Sequence, residues 1–200
     1  VTAMLGAVAT VALAAGCAGE PATGPAPAPA PSSTATPDEG STTADTADTA
    51  DGPPAFGRGT GRRTSDPSRN ALLVLTDVRT GEARRFDRVV LEFSGRGTPG
   101  YVVNYVDRAV HDGSGQVVDF GRGAVLDVYA SGTTAPAPDY YDGPRRLSPL
   151  DGDVLDGLFM AGTFEGFTQV LAGIDGDRAP FRVFTLTSPP RLVVDVAATE

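Results

Sequence analysis

Arg88-Val89-Val90-Leu91-Glu92-Phe93 and Arg191-Leu192-Val193-Val194-Asp195-Val196 are near-duplicates set far apart in the chain, and their alternation decides the fold. At a period of two, residues 89, 91 and 93 share one face, as do 192, 194 and 196. Both segments read as strands that turn an apolar face to a core. Arg88 with Glu92, and Arg191 with Asp195, fall on the opposite face, where an exposed cross-pair is worth roughly 0.2–1 kcal/mol. Working outward, residues 69–198 keep the same character: short apolar runs broken at intervals of roughly 8–12 residues by Gly, Pro, Asp or Ser, the pattern of a sandwich or barrel. Strands are predicted at 72–78, 88–93, 101–106, 124–130, 168–173, 181–186 and 191–197, with a shorter element at 155–161. No run has convincing helical spacing, although 147–159 admits a helical turn. The aromatics Phe93, Tyr101, Tyr105, Tyr129, Phe164, Phe167, Phe181 and Phe184 are expected to fill the core.

Composition narrows the function. The 200 residues include 25 Gly and 17 Pro, so the packed part is smaller than the chain. The formal net charge is −9, every basic side chain is Arg, and Trp is absent. An acidic chain of this kind is a poor partner for nucleic acid or for a polybasic contact with lipid. With one Cys and one His, neither an intrachain disulfide nor a Cys/His zinc site can be assembled, and no cofactor is predicted.

Residues 1–15 (VTAMLGAVATVALAA) are apolar and uncharged but shorter than the roughly 20 residues of a membrane-spanning helix. They read as the apolar region of a signal peptide, and the missing basic segment before Val1 implies a truncated start. Leu13-Ala14-Ala15-Gly16-Cys17 resembles a bacterial lipobox, with Ala14 where Leu is usual. The expected address is therefore the outer face of the cell membrane, with an acyl anchor on Cys17. Residues 18–68 carry an Ala-Pro alternation and a Thr-Ala-Asp repeat with hardly any large apolar side chain, the composition of a disordered tether. Within it, Gly57-Arg58-Gly59-Thr60-Gly61 lacks the strand and the Lys of a phosphate-binding loop, and Arg58, Arg62 and Arg63 read as a solvated basic patch.

Phe86 to Gly95, Pro99-Gly100-Tyr101-Val102-Val103, Phe164-Glu165-Gly166, Pro180 to Phe184 and Ser188 to Val196 together resemble the AMIN-like domain of actinobacterial lipoproteins, over about 130 residues. That resemblance implies a β-sandwich similar to the AMIN domain of N-acetylmuramoyl-L-alanine amidases, a module that localises those enzymes to the envelope and is thought to bind peptidoglycan. It implies no catalytic residues, and no amidase domain accompanies it here. The expected function is a non-catalytic envelope-binding or localisation module. The alternative is an adaptor that docks another envelope protein through a sheet edge or a loop.

Three stretches carry candidate chemistry. His111-Asp112-Gly113-Ser114-Gly115 has the residue types of a hydrolase triad, but neighbours on a Gly-rich loop do not converge as a triad must, and a hairpin connection is predicted. Asp151-Gly152-Asp153-Val154-Leu155-Asp156-Gly157 has oxygen ligands suited to Ca²⁺ but breaks the EF-hand spacing, and an acidic turn is predicted. Residues 133–150 combine Tyr140, Tyr141, Arg145 and Arg146, where Tyr could stack on sugar rings and Arg could hold carboxylates. These four are the candidate ligand contacts. The plainer reading has one Tyr pinning the loop while the other Tyr and both Arg stay solvated.

Overall fold

A computed structural model describes residues 53–148 and 150–198. The signal segment 1–17, the lipidation site Cys17 and the tether up to residue 52 lie outside the described residues. The near-duplicate segments become β3 (Phe86–Arg96) and β10 (Pro190–Ala197). They pair antiparallel, so that Arg191 stands opposite Glu92 and Asp195 opposite Arg88. Antiparallel pairing of two segments that both run from Arg to carboxylate brings opposite charges face to face at both ends of the ladder. On the inner side Val89, Leu91, Phe93, Leu192, Val194 and Val196 are almost wholly buried.

β2 (Leu72–Ala83) and β9 (Phe181–Thr187) complete a four-stranded sheet in the order β2-β3-β10-β9. A second sheet of six strands runs β1-β4-β5-β8-β7-β6. Its members are β1 (Arg63–Ser65), β4 (Gly100–Val106), β5 (Val125–Ser131), β6 (Arg146–Leu147), β7 (Leu155–Phe164) and β8 (Phe167–Ile174). All ladders are antiparallel, and no helix occurs among the described residues. The two sheets pack into a β-sandwich whose interior joins Leu73, Leu75, Phe93 and Phe181 to Val103, Leu126, Leu158 and Val170. Tyr105 shows how a polar group is accommodated there: its hydroxyl donates to Ala179 O at 2.7 Å and accepts from Ala179 N at 3.0 Å. Burial pushes its phenol up to about 12.

Several expectations are corrected. Among the described residues of 147–159 there is no helical turn; Leu147 closes β6, and Leu155 opens a β7 that runs on to Phe164. The ordered chain begins before residue 69, because Arg63–Ser65 pairs with Val103–Tyr101 of β4 through backbone groups alone, which needs no large apolar side chain. Phe164 and Phe167 are not core: they are 55% and 44% exposed at the tip of the β7–β8 hairpin. Tyr129 lies on the outer face of the six-stranded sheet, and Phe184 packs with Val90, Leu186 and Val193 in a separate buried cluster.

The Arg and carboxylate face is also not a surface cross-pair. Asp195 is fully buried, and Arg88 grips it through Nε at 2.6 Å and Nη2 at 2.9 Å. Arg182 adds Nε at 2.8 Å to the same carboxylate. The Phe86 and Phe184 rings lie against both guanidinium groups, and Phe56 covers Arg182 at 4.2 Å. Aromatic walls exclude water, so the pair belongs to a low-dielectric site in which each charge depends on the other.

Candidate functional site

The hairpin between β7 and β8 turns through Glu165 (φ 47°) and Gly166 (φ 86°), the two positive φ values of a type I′ turn. Phe164 and Phe167 flank this turn as a paired position, which fixes two aromatic rings at the sheet end. Facing them is the loop of residues 107–124, which folds back over the outer face of the six-stranded sheet. Ala109 and Val118 of this loop bury against Val125 and Leu171, with Phe120 and Phe159 packed beside them.

Between hairpin and loop lies a cleft of about 220 Å³ whose walls include His111, Asp112, Ser114, Phe164, Phe167 and Gln169. Gln169 organises its floor. The side-chain amide oxygen accepts from Asp112 N at 2.9 Å, while Nε2, with two hydrogens to donate, lies 3.0–3.1 Å from three acceptors, Val110 O, Asp127 Oδ1 and Tyr129 Oη. Tyr129 in turn donates to Asp112 Oδ2 at 2.8 Å. Burial pushes Asp127 up to about 6; the Gln169 hydrogen bond opposes the rise and the charge of Asp112 adds to it. Burial and the acidic neighbours Asp112 and Asp127 also raise the Tyr129 phenol.

His111 and Ser114 form a turn as predicted, closed by His111 N donating to Gln116 O and Gly115 N donating to His111 O. His111 Nε2 lies 2.9 Å from Ala161 O, an atom that can only accept, so this nitrogen carries the proton. Nδ1 then accepts from Ser114 Oγ at 2.5 Å. Asp112 is engaged by Tyr129 and Gln169 rather than by the imidazole, so the Ser-His-Asp order of an acyl-transfer triad is not formed.

Of the four residues singled out by sequence, the two tyrosines are half-buried against the core. The Tyr140 hydroxyl hydrogen-bonds Thr163 Oγ1 at 3.2 Å, and that of Tyr141 donates to Pro144 O at 3.0 Å. The Tyr141 phenol is raised by burial and by Asp77 and Asp142. Both rings therefore fasten the loop to the sandwich. Arg145 reaches the cleft wall, donating to Met160 O and Ala161 O, with Nη2 3.4 Å from His111 Nε2. Arg146 lies over Phe120 and, with Arg145, over Phe159.

Phe164, Phe167, Gln169, Tyr129 and Asp127 were missed as site residues. A recoverable signal was Phe164-Glu165-Gly166-Phe167, since a two-residue turn between aromatics puts both rings at a hairpin tip. Another was Asp127, a carboxylate inside the apolar run Val125 to Ala130. Among the described residues no helix is long and apolar enough to cross a membrane.

The fold and the cleft define a small sandwich with a recess of about 220 Å³ on the outer face of one sheet. A family model for the AMIN-like domain matches residues 73–198, more than half of the chain, and the chain belongs to that family. It is thus a module of the type associated with the cell envelope and peptidoglycan in extracytoplasmic proteins. No curated protein and no solved structure gives a significant match.

Proposed function

We propose that this chain is a lipoprotein anchored through Cys17 to the outer face of the cell membrane, whose AMIN-like domain binds peptidoglycan without catalysing its cleavage. The observation that carries the reading is the cleft beside the β7–β8 hairpin. Two exposed Phe rings, Phe164 and Phe167, flank a floor held in place by Asp112, Tyr129 and Gln169. Aromatic faces accept the apolar side of a sugar ring, while a fixed carboxylate and amide accept and donate to its hydroxyl and acetamido groups. Arg145, which donates to Ala161 O at the edge of the cleft, supplies a cation for a muramyl or stem-peptide carboxylate. Tyr140 and Tyr141 act by holding the Arg145 loop in place.

Titration with soluble muropeptides tests the assignment. Phe164→Ala with Phe167→Ala should weaken binding at least ~10-fold, about 1.4 kcal/mol, with only a modest change in unfolding midpoint because both residues are about half exposed and outside the core. Equal affinity in wild type and double variant removes the cleft from the account. Wild-type binding to an envelope protein with none to muropeptides would favour the adaptor.

A further inference from the structure

Asp87 lies on β3 two residues before Val89, opposite Glu82 of β2, so its side chain points between the sheets. At this end of the sandwich the loop of residues 150–154 covers it. Asp87 is 2% exposed, and its Oδ2 accepts the backbone N–H groups of Val154 at 2.8 Å and Leu155 at 2.9 Å. Its Oδ1 is buried with no hydrogen-bond partner. Buried carboxylate oxygens are ordinarily satisfied, because an unpaired one keeps the full cost of its lost hydration.

Asp87 is also one of the residues around a cleft of about 240 Å³, with Thr80, Gly81, Glu82, Leu150, Asp151 and Gly152. That lining contains three carboxylates and no basic residue. Glu82 and Asp87 are directly opposed across the ladder, an arrangement of like charges that is unfavourable unless something positive lies between them. Gly152 passes so close that any side chain there would overlap the Asp87 carboxylate.

We infer that this cleft binds a hard divalent cation, Ca²⁺, with Asp87 Oδ1 as its buried anchor. Calcium takes roughly six to eight oxygen ligands from carboxylates, carbonyls and water in a flexible geometry. The lining supplies oxygen donors and neither His nor Cys, which disfavours zinc. Among the described residues no three acidic, His or Cys side chains already stand at metal-binding distance. Glu82 and Asp151, both exposed, therefore close in on Asp87 when the ion binds, and water completes the shell. The Asp151-Gly152-Asp153 turn breaks the EF-hand spacing because the remaining ligands come from the β2–β3 hairpin, not from the same loop. Binding would tie the start of β7 to that hairpin, and it is independent of any peptidoglycan contact.

Thermal unfolding of the full chain in EDTA, in about 10 mM Ca²⁺ and in about 10 mM Mg²⁺ tests this, with calorimetric titration of Ca²⁺ alongside. For a Kd near 1 mM, the weak end of extracellular calcium modules, the midpoint should rise by roughly 3–5 °C with Ca²⁺ and by much less with Mg²⁺. Asp87→Asn keeps an acceptor for Val154 and Leu155 but lowers the charge, and should abolish the rise. Should that variant fail to fold, Asp151→Ala and Glu82→Gln, both at exposed positions, should each reduce it. No Ca²⁺ response, an equal response to Mg²⁺, or a response that survives these variants overturns the site.

Discussion

Asp195 shows how much one side chain can depend on its surroundings. It is fully buried between Arg88 and Arg182, whose side chains are each 13% exposed, and removing it leaves two guanidinium groups facing Phe86 and Phe184 without an anion. Asp195→Ala should therefore destabilise the fold by about 3–5 kcal/mol, read from urea unfolding. A loss below about 1 kcal/mol would return the pair to the surface value expected from alternation. Asp127 makes a different prediction at the same scale. Its folded carboxyl holds a proton up to about pH 6, whereas an unfolded Asp releases it near pH 4, roughly. Its contribution to stability is thus fully present below the unfolded value and lost as pH rises from about 4 to about 6, on the order of 2–3 kcal/mol. Unfolding free energies of wild type and Asp127→Asn should accordingly diverge in favour of wild type as pH falls from 7 to 4. A constant difference across that range would contradict the buried carboxylate.

At the scale of elements, the β7–β8 hairpin holds the clearest local conflict. Glu165 occupies a left-handed position that Asn or Gly would take without strain. Glu165→Asn should stabilise the domain by about 0.5–1 kcal/mol in urea unfolding, while leaving Phe164 and Phe167 in place to bind. Loss of stability would mean that the turn is not of this type. The strands themselves were legible because alternation reports which side chains share a face. Val89, Leu91, Phe93 and their β10 counterparts all reach the core. Alternation does not report whether the opposite face is covered, so by itself it leaves Arg88 and Asp195 in solvent. Nor does aromatic character alone place a residue inside: Phe164 and Phe167 sit at a turn that ends the strand beyond the edge of the core. The cleft was hidden for a related reason. His111 and Asp112 come from one loop, whereas Ala161, Phe164 and Gln169 arrive from strands about fifty residues later, and they are joined by the hydrogen bonds of His111 to Ala161 O, of Asp112 N to Gln169 and of Gln169 to Val110 O.

For the whole molecule, the two sheets present different outer faces. The four-stranded sheet holds the buried ion cluster, and there Arg182 donates to Pro54 O at 2.8 Å, so the described chain enters against that sheet. The proposed binding cleft opens on the outer face of the six-stranded sheet, leaving it directed away from the point of entry. The family resemblance, carried by motifs spread from Phe86 to Val196, marked the sandwich and its association with the envelope. The candidate cleft had to come from the packing of loop on sheet. Co-sedimentation of the purified chain with insoluble peptidoglycan sacculi at low and moderate salt, against an unrelated acidic β-domain, tests the central claim most directly. The account predicts saturable pelleting that survives moderate salt, because ring stacking and buried hydrogen bonds are little screened; pelleting no greater than that of the control would contradict it.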